Sequence, residues 1–107
     1  MDSFAALSDP TRRAILERLA QSEMAAGDIV AAFSLSAPAI SQHLKALRQA
    51  GLVRVRSEGQ RRIYRLDPEG LDGMEAWIDR TRRFWSARLD ALAAALETPD
   101  DDTETNR

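Results

Sequence analysis

The sequence has 107 residues and no cysteine, so disulfides, thiolate metal ligands and cysteine nucleophiles are excluded together. Histidine occurs once, at position 43, with no nucleophile or orienting acid placed beside it, so it makes a poor catalytic base. A glycine-rich phosphate loop is missing as well, which leaves an enzyme as the weakest of the readings open to the chain. No apolar run approaches the roughly 18 residues that a membrane span requires. Residues 4–7, the first apolar group, are far too few for the core of a signal peptide. The expected location is therefore the cytoplasm, with no membrane partner. Internal repeats are absent.

What the chain does have is the composition of one globular domain, 44% hydrophobic and 30% charged. A domain this short buries a modest core, so support from a second copy is expected. The formal net charge of −2 argues at first against a nucleic-acid partner, but the distribution reverses that. Between residues 38 and 65 lie Lys45, Arg48, Arg54, Arg56, Arg61, Arg62 and Arg65, with Glu58 the only anion: seven cations against one, or +6. The first 37 residues sum to −2 and the stretch from 66 onward to −6. A basic segment concentrated in an acidic chain is the footprint of phosphate contact. A solvated charged hairpin would carry the same charge.

The pattern predicts a short helix over 2–7 with Phe4 and Leu7 on one face. A second helix is opened by Asp9 as cap and Pro10 at the first helical position and runs to about Gln21, with Ile15, Leu16 and Leu19 at core spacing. A third, roughly 25–33, turns Ile29, Val30 and Phe33 inward. Over 36–51, Ser36 is placed to cap a helix, Pro38 sits in its permissive first turn, and Gly51 is placed to end it in a left-handed conformation. Ile40, Leu44 and Leu47 share one stripe of that helix, while Pro38, Gln42, Lys45 and Gln49 face the other way. A short helix, a tight turn and an amphipathic helix with a polar outer face make a helix-turn-helix. From 52 to 66 the period changes to two, with a Gly59 turn in the middle, which predicts a two-stranded hairpin. Ile63 and Tyr64 are adjacent and point to opposite faces, and the pattern does not say which of them is inward. Asp67-Pro68 breaks the strand. A long helix then runs from about 71 to 96, its stripe formed by Met74, Ile78, Trp85, Leu89, Leu92 and Leu96 and widened by Trp77 and Phe84. So wide an apolar face marks an interface unless both tryptophans are covered within one copy. The chain divides into a domain over 1–97 and an acidic tail over 98–107 that is expected to be disordered.

Three stretches, FAALSDPTRRAIL (4–16), PAISQHLKALRQAGLV (38–53) and EGQRRIYRL (58–66), resemble the ArsR family of bacterial winged-helix repressors. The resemblance implies a mainly α fold of about five helices with a two-stranded antiparallel wing. It also implies a homodimer joined by its first and last helices, and repression at a palindromic operator. Metal sensors of the family carry a Cys-Val-Cys element in the third helix; here Ala25 and Gly27 stand where its thiolates would be. A second family site, on the last helix, uses Asp and His; this helix has Asp72, Glu75 and Asp79 but no histidine. The resemblance is thus to a metal-independent branch, with no cofactor and with an effector that is unknown or absent.

The candidate DNA-binding residues are Ser36, Ala37, Pro38, Ala39, Ser41, Gln42, His43 and Lys45 on the recognition helix, and Arg54, Arg56, Arg61 and Arg62 on the wing. Gln42 leads for base reading, because its amide can bond two edges of adenine at once. Ser36 suits an N-cap, a phosphate contact, or both; Ser41 suits a phosphate or a base; His43 is either partly packed or a DNA contact. Some of the wing arginines are expected to be ordinary surface charges, as are Arg12, Arg13, Arg80, Arg82 and Arg83. The candidate dimer interface is Phe4, Leu7, Met74, Trp77, Ile78, Phe84, Trp85, Leu89, Leu92 and Leu96. The competing reading is a winged-helix module that docks a partner protein without specific DNA binding.

Overall fold

A computed structural model of the chain describes residues 2–97; the expected acidic tail lies outside them. In chain order the elements are α1 (Ser3–Ala6), α2 (Pro10–Gln21), β1 (Met24–Ala25), α3 (Ala26–Ala32), α4 (Ala37–Gln49), β2 (Val53–Glu58), β3 (Arg61–Leu66) and α5 (Pro68–Glu97). The chain divides after Met74 into two compact units.

The first unit carries the core. Asp9 caps α2 by accepting from the amides of Thr11 and Arg12 at 2.7 and 3.1 Å, and those bonds, the Arg12 amide foremost, hold its carboxyl below the usual range. Ile15 and Leu19 of α2, Ile29 of α3, and Ile40, Leu44 and Leu47 of α4 are buried together with Leu52, Val53 and Tyr64. Leu7, Val30, Phe33, Leu71 and Met74 pack against that cluster from its margin. Gly51 ends α4 at φ +78°, a conformation that costs a glycine little.

The wing differs from the expected two-stranded hairpin by one strand. Met24–Ala25 pairs antiparallel with β3, giving a three-stranded sheet in the order β1-β3-β2. The third helix accordingly starts at Ala26. Strand β3 is therefore central, and this explains why Ile63 and Tyr64 are both buried, at 5% and 4% exposure. Tyr64 joins the core; Ile63 lies on the opposite face, between Ala25 of β1 and Arg56 of β2 in register. Helix α5 also starts earlier than expected, at Pro68. Proline ends the strand and opens the helix in one step, since its missing N–H costs nothing at that position. Gly70, in the first turn, lies so close to the carbonyl of Gly51 that a Cβ there would collide with it.

Candidate nucleic-acid interface

Helix α4 is fixed on one side and open on the other. The Ser36 hydroxyl accepts from the amide of Ala39 at 3.2 Å, so the capping role is filled. Ile40, Leu44, Ala46 and Leu47 anchor the helix, while Ser36, Ala37, Pro38, Ser41, Gln42 and Lys45 are exposed and Ala39 and His43 half-buried. His43 lies on the flank towards α2, with its Nδ1 buried and unpartnered among the described residues. Arg12, Gln42, His43, Lys45 and Gln49 line a shallow groove of about 360 Å³ there. Arg12 itself ties α1 to α2, its Nε donating to the Ala6 carbonyl at 2.6 Å.

The four candidate arginines of the wing fall into two kinds. Arg56 donates to both carboxylate oxygens of Glu23, at 2.7 and 2.6 Å, and twice more to Glu58, at 3.2 and 3.1 Å. The Glu23 carboxyl is held below its ordinary value chiefly by that hydrogen bonding, and the Arg56 guanidinium is pushed further towards its charged form by the same pair and by Glu58. Glu23 immediately precedes β1 and Arg56 is on β2, so this bridge crosses the sheet on the face that holds Ile63. Arg54 meets Asp67 at 3.2 Å and Glu69 at 3.9 Å. Burial acts to raise the Asp67 carboxyl, but the bonds from Arg54 and the Glu69 amide outweigh it and hold it low. Arg61 makes a looser pair with Asp28 at 3.6 Å. Arg62 alone of the four has no carboxylate within salt-bridge distance among the described residues; its guanidinium lies 5.7 Å from the centroid of the Tyr64 ring.

These acidic partners were not among the sequence candidates. Glu58 was legible, because it stands two residues from Arg56 and so shares its face of the strand. Glu23 and Asp28 become neighbours of the wing only through β1, a strand too short to leave a periodic signal. Between α3, the start of α4 and β3 lies an open groove of about 300 Å³, with Arg62, Tyr64 and Ser41 in its lining.

The second unit is the remainder of α5. No residue of this 30-residue helix is buried. Ile78, Phe84, Trp85, Leu89, Leu92 and Leu96 are between 41% and 76% exposed, and Trp77 is 47% exposed. Phe84 and Trp85 meet edge to face at 5.4 Å, and Arg88 lies 4.3 Å over the Phe84 ring. Phe4 of α1 is 42% exposed. No described helix is long and apolar enough to cross a membrane.

Residues 9–55 match the family model described as "Bacterial regulatory protein, arsR family". The chain is 45% identical over 101 residues to the HTH-type transcriptional regulator Rv2034 of Mycobacterium tuberculosis, covering 94% of this chain and 92% of that protein. It is 43% identical over 75 residues to the transcriptional repressor SdpR of Bacillus subtilis, covering 70% of this chain and 83% of the other. Among solved structures, an ArsR-like transcriptional regulator from Rhodococcus sp. RHA1 superimposes with a TM-score of 0.79 at 34% identity, over 89% of this chain and 90% of that one. With its capped, outward-facing α4 followed directly by the wing, the chain belongs to the ArsR family of bacterial winged-helix regulatory proteins.

Proposed function

We propose that the chain is a homodimeric, sequence-specific regulator that represses transcription by occupying a palindromic operator in double-stranded DNA. The observation that carries this reading is the open face of α4, where Ser41, Gln42 and Lys45 stand clear of the core and Ser41 shares a groove with Arg62, a wing arginine with no carboxylate within salt-bridge distance among the described residues. In this reading Gln42 reads bases, Ser41 contacts a base or phosphate, and Lys45 and Arg62 contact phosphate. Arg56, held by four hydrogen bonds to carboxylates, positions the wing, and Arg54 and Arg61 are intermediate. A relative named as a repressor supports the direction of regulation. Two copies pair through the exposed stripe of α5; an apolar face that wide and uncovered supports self-association.

In this reading the chain does not sense metal through the family's third-helix site, because Ala25 and Gly27 stand where its thiolates would be.

The test is to incubate the purified chain with sheared genomic DNA, recover the bound fragments and sequence them. The expected result is an inverted repeat whose half-sites are centred about 34 Å, one helical turn, apart. Fragments no different from the input would overturn the reading in favour of a protein-docking module.

A further inference from the structure

We propose that the groove between α3, the first turns of α4 and strand β3 is a small-molecule site for an apolar monocarboxylate, whose binding withdraws Arg62 from DNA. The withdrawal half rests on the DNA reading above; the binding half stands without it.

The groove has apolar walls from Val30, Ile40, Leu44 and the Tyr64 ring, and it stays open because Ala26, Gly27 and Ala37 are small. Its lining contains no acid and one cation, Arg62. Arg54, Arg56 and Arg61 all have carboxylate partners from the chain, whereas Arg62 has none among the described residues and rests over an aromatic face at the edge of the groove. An ionised carboxylate is costly to bring against apolar walls without a partner. A guanidinium fork supplies that partner with two parallel hydrogen bonds, and the Ser41 hydroxyl in the same lining adds a donor. A dianion would bring one charge more than the lining can match, and a cation would be repelled. The volume of about 300 Å³ is at the low end for ligand pockets, so the apolar body is small.

The walls of this groove are also the elements proposed to read DNA. Arg62 cannot hold a ligand carboxylate and a DNA phosphate with the same donors, so the two ligands oppose each other, by the same factor in each direction.

The test uses the full chain with phenylacetate and octanoate as probes, and phenylacetamide and octanamide as their neutral counterparts, by calorimetry first without DNA. Two variants accompany it. Arg62→Gln removes the cation. Gly27→Leu fills the groove, since a Cβ at Gly27 meets nothing within 4 Å, and it favours the helix. The acids are expected to bind at least about tenfold more tightly than the amides, a gain of the order of one charge-assisted hydrogen bond, and each variant to lose that margin. On the operator, the acids are expected to release wild-type protein but not Gly27→Leu, which still binds DNA. No binding of either acid at millimolar concentration, equal binding of acid and amide, or undiminished binding to Gly27→Leu would overturn the site. Acids that bind as expected yet leave the DNA complex intact would overturn the withdrawal. A chain that binds the acids but retains no DNA refutes the proposed function and leaves the site standing.

Discussion

Replacing Arg62 and Arg56 by glutamine, one at a time, separates a wing arginine proposed to touch DNA from one proposed to hold the wing. Each phosphate neutralised by a cation contributes about 0.9 to the slope of log K against log salt. Two copies on a palindrome double this, so Arg62→Gln is expected to flatten the slope by about 1.8. Between 50 and 200 mM salt that makes the variant's loss of affinity about twelvefold smaller than that of the wild type. Arg56→Gln is expected to weaken binding with a slope change near zero, because the guanidinium already makes four hydrogen bonds to Glu23 and Glu58. The opposing consideration is that exposed ion pairs are worth only about 0–1 kcal/mol, which one phosphate contact can match. That consideration applies best to Arg61, whose exposed pair with Asp28 is a single contact at 3.6 Å; Arg54 stands between, with Asp67 at 3.2 Å and Glu69 at 3.9 Å. It applies least to Arg56, which would have to leave a bidentate pair and a second acid together. The expected order of slope loss is thus Arg62 first and Arg56 last. The assay is fluorescence anisotropy on labelled operator across a salt series. A slope for Arg56→Gln as flat as that of Arg62→Gln would show that DNA takes Arg56 away from its carboxylates.

Glu23→Gln removes the same strap from the other side: the Glu23 carboxyl is held below its ordinary value of 4.5 by Arg56, so its contribution to stability is present above that pH and lost as the pH falls through the lowered value. Wild type and variant are expected to differ in urea midpoint at pH 7 and to converge in acid; a constant difference would refute the coupling. Gln42→Ala is expected to relax discrimination at particular base pairs by about 1–3 kcal/mol, and equal losses on operator and random DNA would count against base reading. Leu89→Asp places a charge in the exposed stripe of α5 and is expected to give a helical monomer by sedimentation at micromolar concentration; a surviving dimer moves the interface elsewhere, and a monomeric wild type refutes the homodimer. Gly70→Ala sets about 1 kcal/mol of gained helix propensity against about 1–3 kcal/mol of overpacking on the Gly51 carbonyl. The net is expected to be a lower urea midpoint, and an unchanged or higher one would show that the carbonyl yields.

Elements whose ends carry chemistry were legible in the sequence. Helix α4 is announced by Ser36, Pro38 and Gly51 and by the stripe of Ile40, Leu44 and Leu47, and all of these do in the structure what their residue types suggest. Strand β1 was not legible. Two residues cannot show a period of two, and Met24 and Ala25 are drawn into the sheet by the backbone of Tyr64 and Ile63, some 40 residues later in the chain. Without that strand the burial of Ile63 and Tyr64 looks like a choice, whereas a central strand accommodates both. Glu23 is hidden for the same reason, since it reaches Arg56 only because the strand it precedes belongs to the wing sheet. The start of α5 is ambiguous for a local reason: Pro68 suits the end of a strand and the opening of a helix equally well, and the structure uses it for both.

Charge is where the sequence and the structure differ most in what they imply. Counted along the chain, residues 38–65 carry +6, which suggests a wing that grips any phosphate it meets. In the structure, Glu23, Asp28, Glu58 and Asp67 come from four places in the chain to pair with Arg54, Arg56 and Arg61. Arg62 is left beside the exposed start of α4, and Lys45 lies on α4 itself. Every phosphate contact strengthens binding to operator and non-specific DNA alike, whereas base contacts from α4 strengthen only the former. In the proposed reading, pairing most of the wing's cations with acids therefore lowers the affinity common to all sequences and raises the fraction of binding energy that depends on Gln42 and its neighbours. For a regulator that must find its operator among a genome of competing sites, that ratio matters more than total affinity. It follows that Glu23→Gln, which leaves Arg56 with Glu58 as its one acidic partner, should raise affinity for random DNA more than for the operator, and a proportional rise on both would argue that the acids serve the fold alone.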